Sequence, residues 1–407
     1  MVVHRRCRDK VGNYCGVREN VLALYEKCKH NQSDPYTYNS DLYSIYNDLD
    51  DLNKKKNAEF EMERMSRNYH PNVTAGMRVE EFQFIKSLGT GMNGAVYLVK
   101  TQKHYFAMKV LRKNVVLEGQ DVAYVMLERD ILVDSQKSPF IVQLLYSFQN
   151  AERLFFLMEV AQGGNFYRLL QRQASHSPFS YNRIQFHSGE IVCALEYLHH
   201  ERIVYRDLKP ENVLVFQDGH IKLADFGLCK KDIDYTHRTN TFCGTLEYIA
   251  FEIFDRADYD HTVDWWSLGV MIYEMFTFIT PFYDEDDAQI EENVLSKDVE
   301  YPDTIPAEAK HIIQELLERE PHRRLGHMSS PHGLLKDHPF YSEPYTIENI
   351  KNRRVKPPWV PKTPLSLQPS MENFKLSEIE QKDACLLMST PEDTFRGFSY
   401  INPQAPR

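Results

Sequence analysis

The chain has 407 residues, 42% of them hydrophobic, enough for two to three domains or for one large two-lobed enzyme with extensions. A formal net charge of −10 argues against a nucleic-acid role and suits basic peptide partners, which the field around an acidic cleft attracts. Seven scattered cysteines make no disulfide framework, no apolar run is long enough to span a bilayer, and "MVVHRRCRDK" lacks the apolar block of a signal peptide, so a soluble intracellular protein is expected.

Residues 1–15 are rich in basic residues and cysteine, and residues 16–81 read as a polar linker with a short helix around Val21–Cys28. From Phe82 the texture changes. "FQFIKSLGTGMNGAVYLVKTQKHYFAMKVL" alternates aromatic and β-branched residues around glycine turns and predicts three strands. "DVAYVMLERDILVD" has helical spacing, and "IVQLLYSFQ" and "LFFLMEVA" predict two more strands. Beyond Gly164, "NRIQFHSGEIVCALEYLHH", "TVDWWSLGVMIYEMF" and "AEAKHIIQELLER" each carry an apolar stripe at helical period. Strands first and helices after predict an α+β, two-lobed fold with a cleft between the lobes. From about Tyr341 the chain turns proline-rich and is expected to be irregular.

Four short stretches carry chemistry. "LGTGMNGAV" spaces Gly89, Gly91 and Gly94 between two strands, where backbone N–H groups can approach phosphates. Alone it is a glycine-rich hairpin, and the strand that follows argues against dinucleotide binding, which needs a helix there. Lys109 in "FAMK" lies inside a strand and suits a cation on the α- and β-phosphates, steadied by Glu128 from the next helix, with Val96 and Ala107 around the adenine. "YRDLKPEN" places Asp207 as acceptor of a hydroxyl proton, Lys209 beside the moving phosphoryl and Asn212 on magnesium; Asp225 in "LADFGLCK" adds a second magnesium ligand. Phosphoryl transfer is mainly positioning and charge neutralisation, and this inventory supplies both.

Four motifs in this order resemble the eukaryotic protein kinases from about Phe82 to Phe340. The resemblance implies the bilobal kinase fold, a catalytic domain over 82–340 and a regulatory tail over 341–407. It implies ATP and Mg2+ as cofactors. Leu88, Gly89, Thr90, Gly91, Met92, Asn93, Gly94, Ala95, Val96, Ala107, Lys109, Met158, Glu159, Ala161 and Leu214 would hold the nucleotide. It further implies an ion pair of Glu252 with Arg324, a bracing role for Asp264, and an apolar column of Leu132, Leu144, Phe226 and Tyr205.

"DFGLCK", "TFCGT", Tyr205 and the tail "FRGFSY" are similar to the kinases with a C-terminal regulatory tail, and among them to calcium-independent protein kinase C. By that resemblance Thr241 is the activation-loop phosphosite, its phosphate pairing with Arg206. Phe395 and Phe398 would dock beside the Glu128 helix, with Ser399 as tail phosphosite. Partners implied are serine-containing proteins with nearby basic residues and an upstream kinase of the phosphoinositide-dependent type.

At the N-terminus, His4, Cys7 and Cys15 resemble the closing part of a diacylglycerol-type zinc finger. They are all that remains of two four-ligand sites, so no structural zinc is expected. The chain is expected to be a truncated product or an incomplete part of a longer protein. Longer forms with the whole finger would meet membrane diacylglycerol; a cytoplasmic location follows otherwise.

Several positions depart from the family pattern. Leu246 and Phe251 replace prolines, which frees the unfolded loop by roughly 0.4–1 kcal/mol each and leaves Phe251 in need of a burial site. Asn165 replaces a carboxylate, which weakens preference for an upstream arginine; Glu211 and Glu274 keep some basic character in the substrate. By the same resemblance Leu228 favours serine over threonine, and Phe242, Leu246 and Ile249 an apolar residue after it. A turn-motif phosphosite is not obvious: Ser389-Thr390-Pro391 stands near the hydrophobic motif, and "KLSEIEQ" is acidic. The rival reading, a kinase fold acting as a silent scaffold, would need Lys109, Asp207, Asn212 or Asp225 to be lost, and all four are present.

Overall fold

In the computed structural model the described residues are 78–90, 94–174, 178–362 and 394–406. The zinc-finger remnant with His4, Cys7 and Cys15, the helix expected at Val21–Cys28, the tip residues Gly91, Met92 and Asn93, and Ser389-Thr390-Pro391 with "KLSEIEQ" lie outside them.

Three antiparallel strands open the fold: β1 (Gln83–Thr90), β2 (Gly94–Lys100) and β3 (Tyr105–Arg112). Alternation along β3 decides its faces. Phe106, Met108 and Val110 pack into a cluster with Phe82, Val99, Phe148 and Phe155, which leaves Ala107 and Lys109 on the opposite, cleft-facing side. Two helices follow, α1 (Lys113–Glu118) and α2 (Val122–Asp134), and then β4 (Leu144–Gln149) and β5 (Arg153–Met158). The sheet runs β1-β2-β3-β5-β4 and is extended at the β4 edge by β9 (Tyr400–Ile401) from the tail.

Both strand predictions in this part were too long. Ile141 makes only an isolated bridge to Leu223, and the chain leaves β5 at Met158 because Glu159–Ala161 forms the connection to the second lobe.

A small three-stranded sheet lies beyond that connection: β6 (Gly164–Asn165), β7 (Val213–Val215) and β8 (Ile221–Leu223). Around it pack α3 (Phe166–Ala174) and α4 (Tyr181–His200), the latter buried on most sides. Next come α5 (Phe251–Phe254), α6 (Val263–Thr277), α7 (Asp287–Ser296) and α8 (Ala307–Leu316). The α6 helix is apolar nearly all round and forms the centre of this lobe, with Trp266 and Leu268 fully buried. It stops where Phe278 takes a left-handed conformation and returns its N–H to Glu274 O. The α8 helix ends at Leu316, short of the predicted Arg319, whose side chain turns to Val294 O and Lys297 O.

The stretch after Tyr341 is not wholly irregular. It holds α9 (Ile347–Lys351), capped by Thr346 and packed on α4 through buried Ile347 and Ile350. No helix among the described residues is long and apolar enough to cross a membrane.

Candidate active site

The cleft between the sheet and the helical lobe encloses a cavity of about 260 Å³. Leu88, Gly89, Val96, Ala107, Lys109, Met158, Glu159, Ala161 and Leu214, all among the residues the resemblance assigns to the nucleotide, line it, and so do Glu128, Asn212 and Asp225. Thr90, Gly94 and Ala95 do not. For Gly94 the reason is steric: a Cβ there would sit 2.0 Å from Val110 O, so this glycine serves the close approach of β2 to β3. Val142, Ala224 and Arg168 also line the cavity and were missed. Val142 and Ala224 read as ordinary core residues in sequence; the latter's place beside Asp225 was the available signal.

Lys109 is the cation that meets the carboxylates of the cleft. Its Nζ lies 2.6 Å from Glu128 Oε1 and 3.0 Å from Asp225 Oδ1. Burial works to lower the Lys109 pKa, but the Asp225 and Glu128 carboxylates outweigh it and hold the ammonium above its usual value. The same ammonium holds the Asp225 carboxyl below its usual range. Asp225 adopts φ 57, a left-handed conformation that is strained for a residue with a side chain. Its side chain remains 53% exposed.

Across the cleft, Asp207 is the centre of a polar group. It accepts from Lys209 Nζ at 3.1 Å, Thr245 Oγ1 at 2.8 Å and Asn212 Nδ2 at 2.7 Å. Lys209 Nζ also donates to Thr245 Oγ1 at 2.7 Å, which ties the loop to the 241–253 segment. Beneath it, Asp264 accepts from the backbone N–H groups of Tyr205 and Arg206 at 2.9 and 2.8 Å, and from His199 Nε2 at 2.8 Å. These bonds hold Arg206 at φ 66, a strain of about 1–3 kcal/mol. Tyr205 stacks edge-on against Phe226, and Leu132 and Leu144 are likewise buried.

The activation segment is ordered around Tyr259. Its hydroxyl donates to Thr241 O at 2.6 Å and accepts from Arg206 Nη1 at 3.2 Å. Arg206 spends its other nitrogens on the carbonyls of Leu228 and Cys229. The Thr241 hydroxyl faces Thr239 at 3.4 Å, and Lys230 Nζ donates to Thr239 Oγ1 at 2.9 Å. Phe251 is half-buried and opens α5. Glu252 pairs with both terminal nitrogens of Arg324 at 2.7 and 2.8 Å.

Asn165 accepts from Arg168 N–H at 3.1 Å and so caps α3. Glu274 is buried and accepts from the Tyr248 hydroxyl at 2.6 Å. Burial, with Glu211 and Glu247 nearby, pushes its pKa up to about 7 against the Tyr248 hydrogen bond. Glu159 commits its carboxylate to Lys222 Nζ at 2.6 Å and to Gln143 N–H at 2.8 Å, so it can offer a nucleotide only its backbone.

Phe395 and Phe398 are buried, Phe398 edge-on against Phe156 at 5.1 Å and Phe395 beneath the Lys113 ammonium. Ser399 is half-buried between them and β9.

A second polar group, His311, Glu315 and His338, has atoms a metal could use. Its protons already close it. The Phe340 N–H donates to His338 Nδ1, which leaves His338 with Nε2–H to donate to His311 Nδ1 at 2.9 Å, and His311 then turns its own N–H to Glu315.

Residues 82–340 match the family model described as "Protein kinase domain". Protein kinase C delta type of Rattus norvegicus is 36% identical over 426 residues, covering 99% of this chain and 60% of that protein. Protein kinase C-like 1B of Caenorhabditis elegans is 34% identical over 425 residues, covering 98% and 59%. Serine/threonine-protein kinase Sgk1 of Gallus gallus is 36% identical over 348 residues, covering 83% of this chain and 79% of that protein. The chain thus spans about 60% of the length of the protein kinase C relatives it matches.

Proposed function

The chain belongs to the protein kinase family, and from that premise we propose that it transfers the γ-phosphate of ATP to serine, less often threonine, hydroxyls of partly basic proteins in protein kinase C-type signalling. The observation that carries the proposal is the closure of Lys109 on Glu128 and Asp225 at a cavity that Asn212 also lines, with Asn212 bonded in turn to Asp207 and Asp207 to Lys209.

Lys109 would hold the α- and β-phosphates, freed from Asp225 by the phosphates' own charge. Asp207 would orient the serine hydroxyl and take its proton; its carboxylate is fixed by three donors and needs no reorganisation. Lys209, already bonded to Asp207, would neutralise charge on the transferring group. Asp225 is half-exposed, and Asn212, with Nδ2 spent on Asp207, keeps Oδ1 for the cleft. Two hard oxygen donors fit magnesium, which Asp225 and Asn212 would hold and which would supply neutralisation of phosphate charge. Glu211 and Glu274 favour basic residues in the substrate.

The proposal extends to regulation and organisation. Residues 82–340 are the catalytic domain, 341–407 the tail, 16–81 a linker and 1–15 a finger remnant. Thr241 is the priming phosphosite, filled by an upstream kinase of the phosphoinositide-dependent type, and Ser399 is the tail site. The location is cytoplasmic, with longer finger-bearing forms recruited to membrane diacylglycerol.

The test is transfer from Mg-ATP to a serine peptide with nearby basic residues, using chain phosphorylated on Thr241. Asp207→Asn should lower kcat by about 10²–10⁴-fold. Wild-type transfer no faster than that of the variant would end the enzymatic reading and favour the silent scaffold.

A further inference from the structure

Beyond β9 the tail continues into Asn402, which is 5% exposed. Its backbone N–H donates to Leu145 O at 2.9 Å. Its side-chain Nδ2 donates to Gln136 Oε1 at 2.6 Å and to Leu144 O at 3.2 Å. Its Oδ1 accepts from Gln404 N–H at 2.9 Å. The whole carboxamide is therefore committed.

Gln136 lies in the 3-10 turn that directly follows α2. Its Nε2 donates to Leu132 O at 2.8 Å and to Leu144 O at 3.1 Å. Leu132 O is one of the last four carbonyls of α2, which no helical N–H reaches. Two carbonyl oxygens on one side of Gln136 require its NH2 there. Its oxygen must then face Asn402, and the NH2 of Asn402 holds it so. Without that donor the Gln136 amide is free to turn, and a turned amide sets oxygen against two carbonyls. Leu132 stands four residues after Glu128, on the same face of α2, and lines the nucleotide cavity.

We propose that Asn402 is a positioning residue for the Lys109–Glu128 pair: an amide relay, Asn402 to Gln136 to the end of α2, sets that helix against β4. This latch is separate from Phe395 and Phe398, which fill the apolar side of the same sheet edge against Lys113 and Phe156. Asparagine is required because a carboxylate at 402 would face two acceptors, Gln136 Oε1 and Leu144 O, with no proton to offer.

The kinetic arm of the test rests on the phosphotransfer reading, and the exchange arm does not. Full-length chain phosphorylated on Thr241 is compared with Asn402→Asp and Asn402→Ala, each alone and combined with Glu128→Gln. Asn402→Asp should lower kcat/KM for ATP about five- to tenfold, the effect of one or two lost hydrogen bonds. In the Glu128→Gln background the further loss should stay under about twofold. Amide hydrogen exchange should quicken in residues 122–136 and stay unchanged in residues 263–277. Equal losses in both backgrounds, or unchanged exchange in 122–136, would overturn the proposal and reduce Asn402 to a tail anchor. If the 402 variants do not fold, Gln136→Met keeps the volume, cuts the same relay and is read the same way. Quickened exchange in a chain that transfers no phosphate would sink the proposed activity and leave the positioning role standing.

Discussion

Two of the ion pairs among the described residues, Arg324 with Glu252 and Lys109 with Glu128 and Asp225, are built to different ends. Arg324 is fully buried and saturated. Its terminal nitrogens meet both oxygens of Glu252, Nη1 also reaches Thr262 O, Nε reaches Glu318 O, and the guanidinium lies over Trp266. Lys109 is shared between two carboxylates, stays 18% exposed, and has a partner in Asp225 that is half in solvent. The first pair is closed to any ligand by its burial and can only hold shape. The second has more negative charge than one ammonium needs, and a partner that can leave. A saturated charge anchors, and an unsaturated one waits for substrate.

Breaking the anchor should have the largest effect on stability. Arg324→Met leaves Glu252 buried without a cation, and the cost should be about 3–5 kcal/mol. Arg324→Met with Glu252→Leu removes both charges and should recover a large part of that loss. Denaturant unfolding of the two variants decides it. A single variant less than about 1 kcal/mol below wild type would mean that Arg324 is not the anchor its geometry makes it.

Glu274 sharpens the comparison from the unsaturated side. It is buried with one hydrogen bond and like-charged neighbours, and its pKa is about 7 against an ordinary 4.5. The folded state therefore binds its proton more tightly than the unfolded chain does. Its contribution to stability is full below pH 4.5 and is lost as pH rises toward about 7. The loss amounts to about 3 kcal/mol at most. Glu274→Gln should flatten the unfolding midpoint between pH 5 and 8, and should remove a fall in KM for basic peptides over the same range. Parallel pH profiles in both proteins would show that Glu274 does not titrate there.

The chemical residues were legible because each sits in a short stretch whose spacing is itself the chemistry. Lys109, Asp207 and Asp225 fall into "FAMK", "YRDLKPEN" and "LADFGLCK"; Lys109 and Asp225 line one cavity, and Asp207 is bonded to Asn212, which lines it too. The long helices α2, α4 and α6 were legible from their period. Short elements were not: β6, β7 and β8 have two or three residues each, too few for alternation to register, and α9 hides among prolines. The α3 and α7 helices went unread although Asn165 and Asp286 cap them. What sequence could least reveal was commitment. Glu159 looks available and is spent on Lys222, Gly94 looks like a phosphate glycine and serves strand packing, and Asn402 looks like tail and reaches α2.

Leu246 offers the smallest and most discriminating test. It follows Thr245, whose ψ of 124 is the extended conformation that proline demands of its predecessor, and it starts a 3-10 turn, where proline fits. The turn's hydrogen bonds run from Tyr248 and Ile249 N–H groups, so a proline at 246 removes none of them. Leu246→Pro should stabilise the chain by about 0.4–1 kcal/mol through the unfolded state, less what the half-buried leucine contributes. Thr245 keeps its bonds to Asp207 and Lys209, so kcat should stay within about twofold. Hydrogen exchange in 241–249 should slow. A faster-exchanging, less stable variant would show that the leucine packs more than proline stiffens. A slower kcat with greater stability would show that softness in this segment serves turnover, as the unsaturated charges of the cleft serve binding.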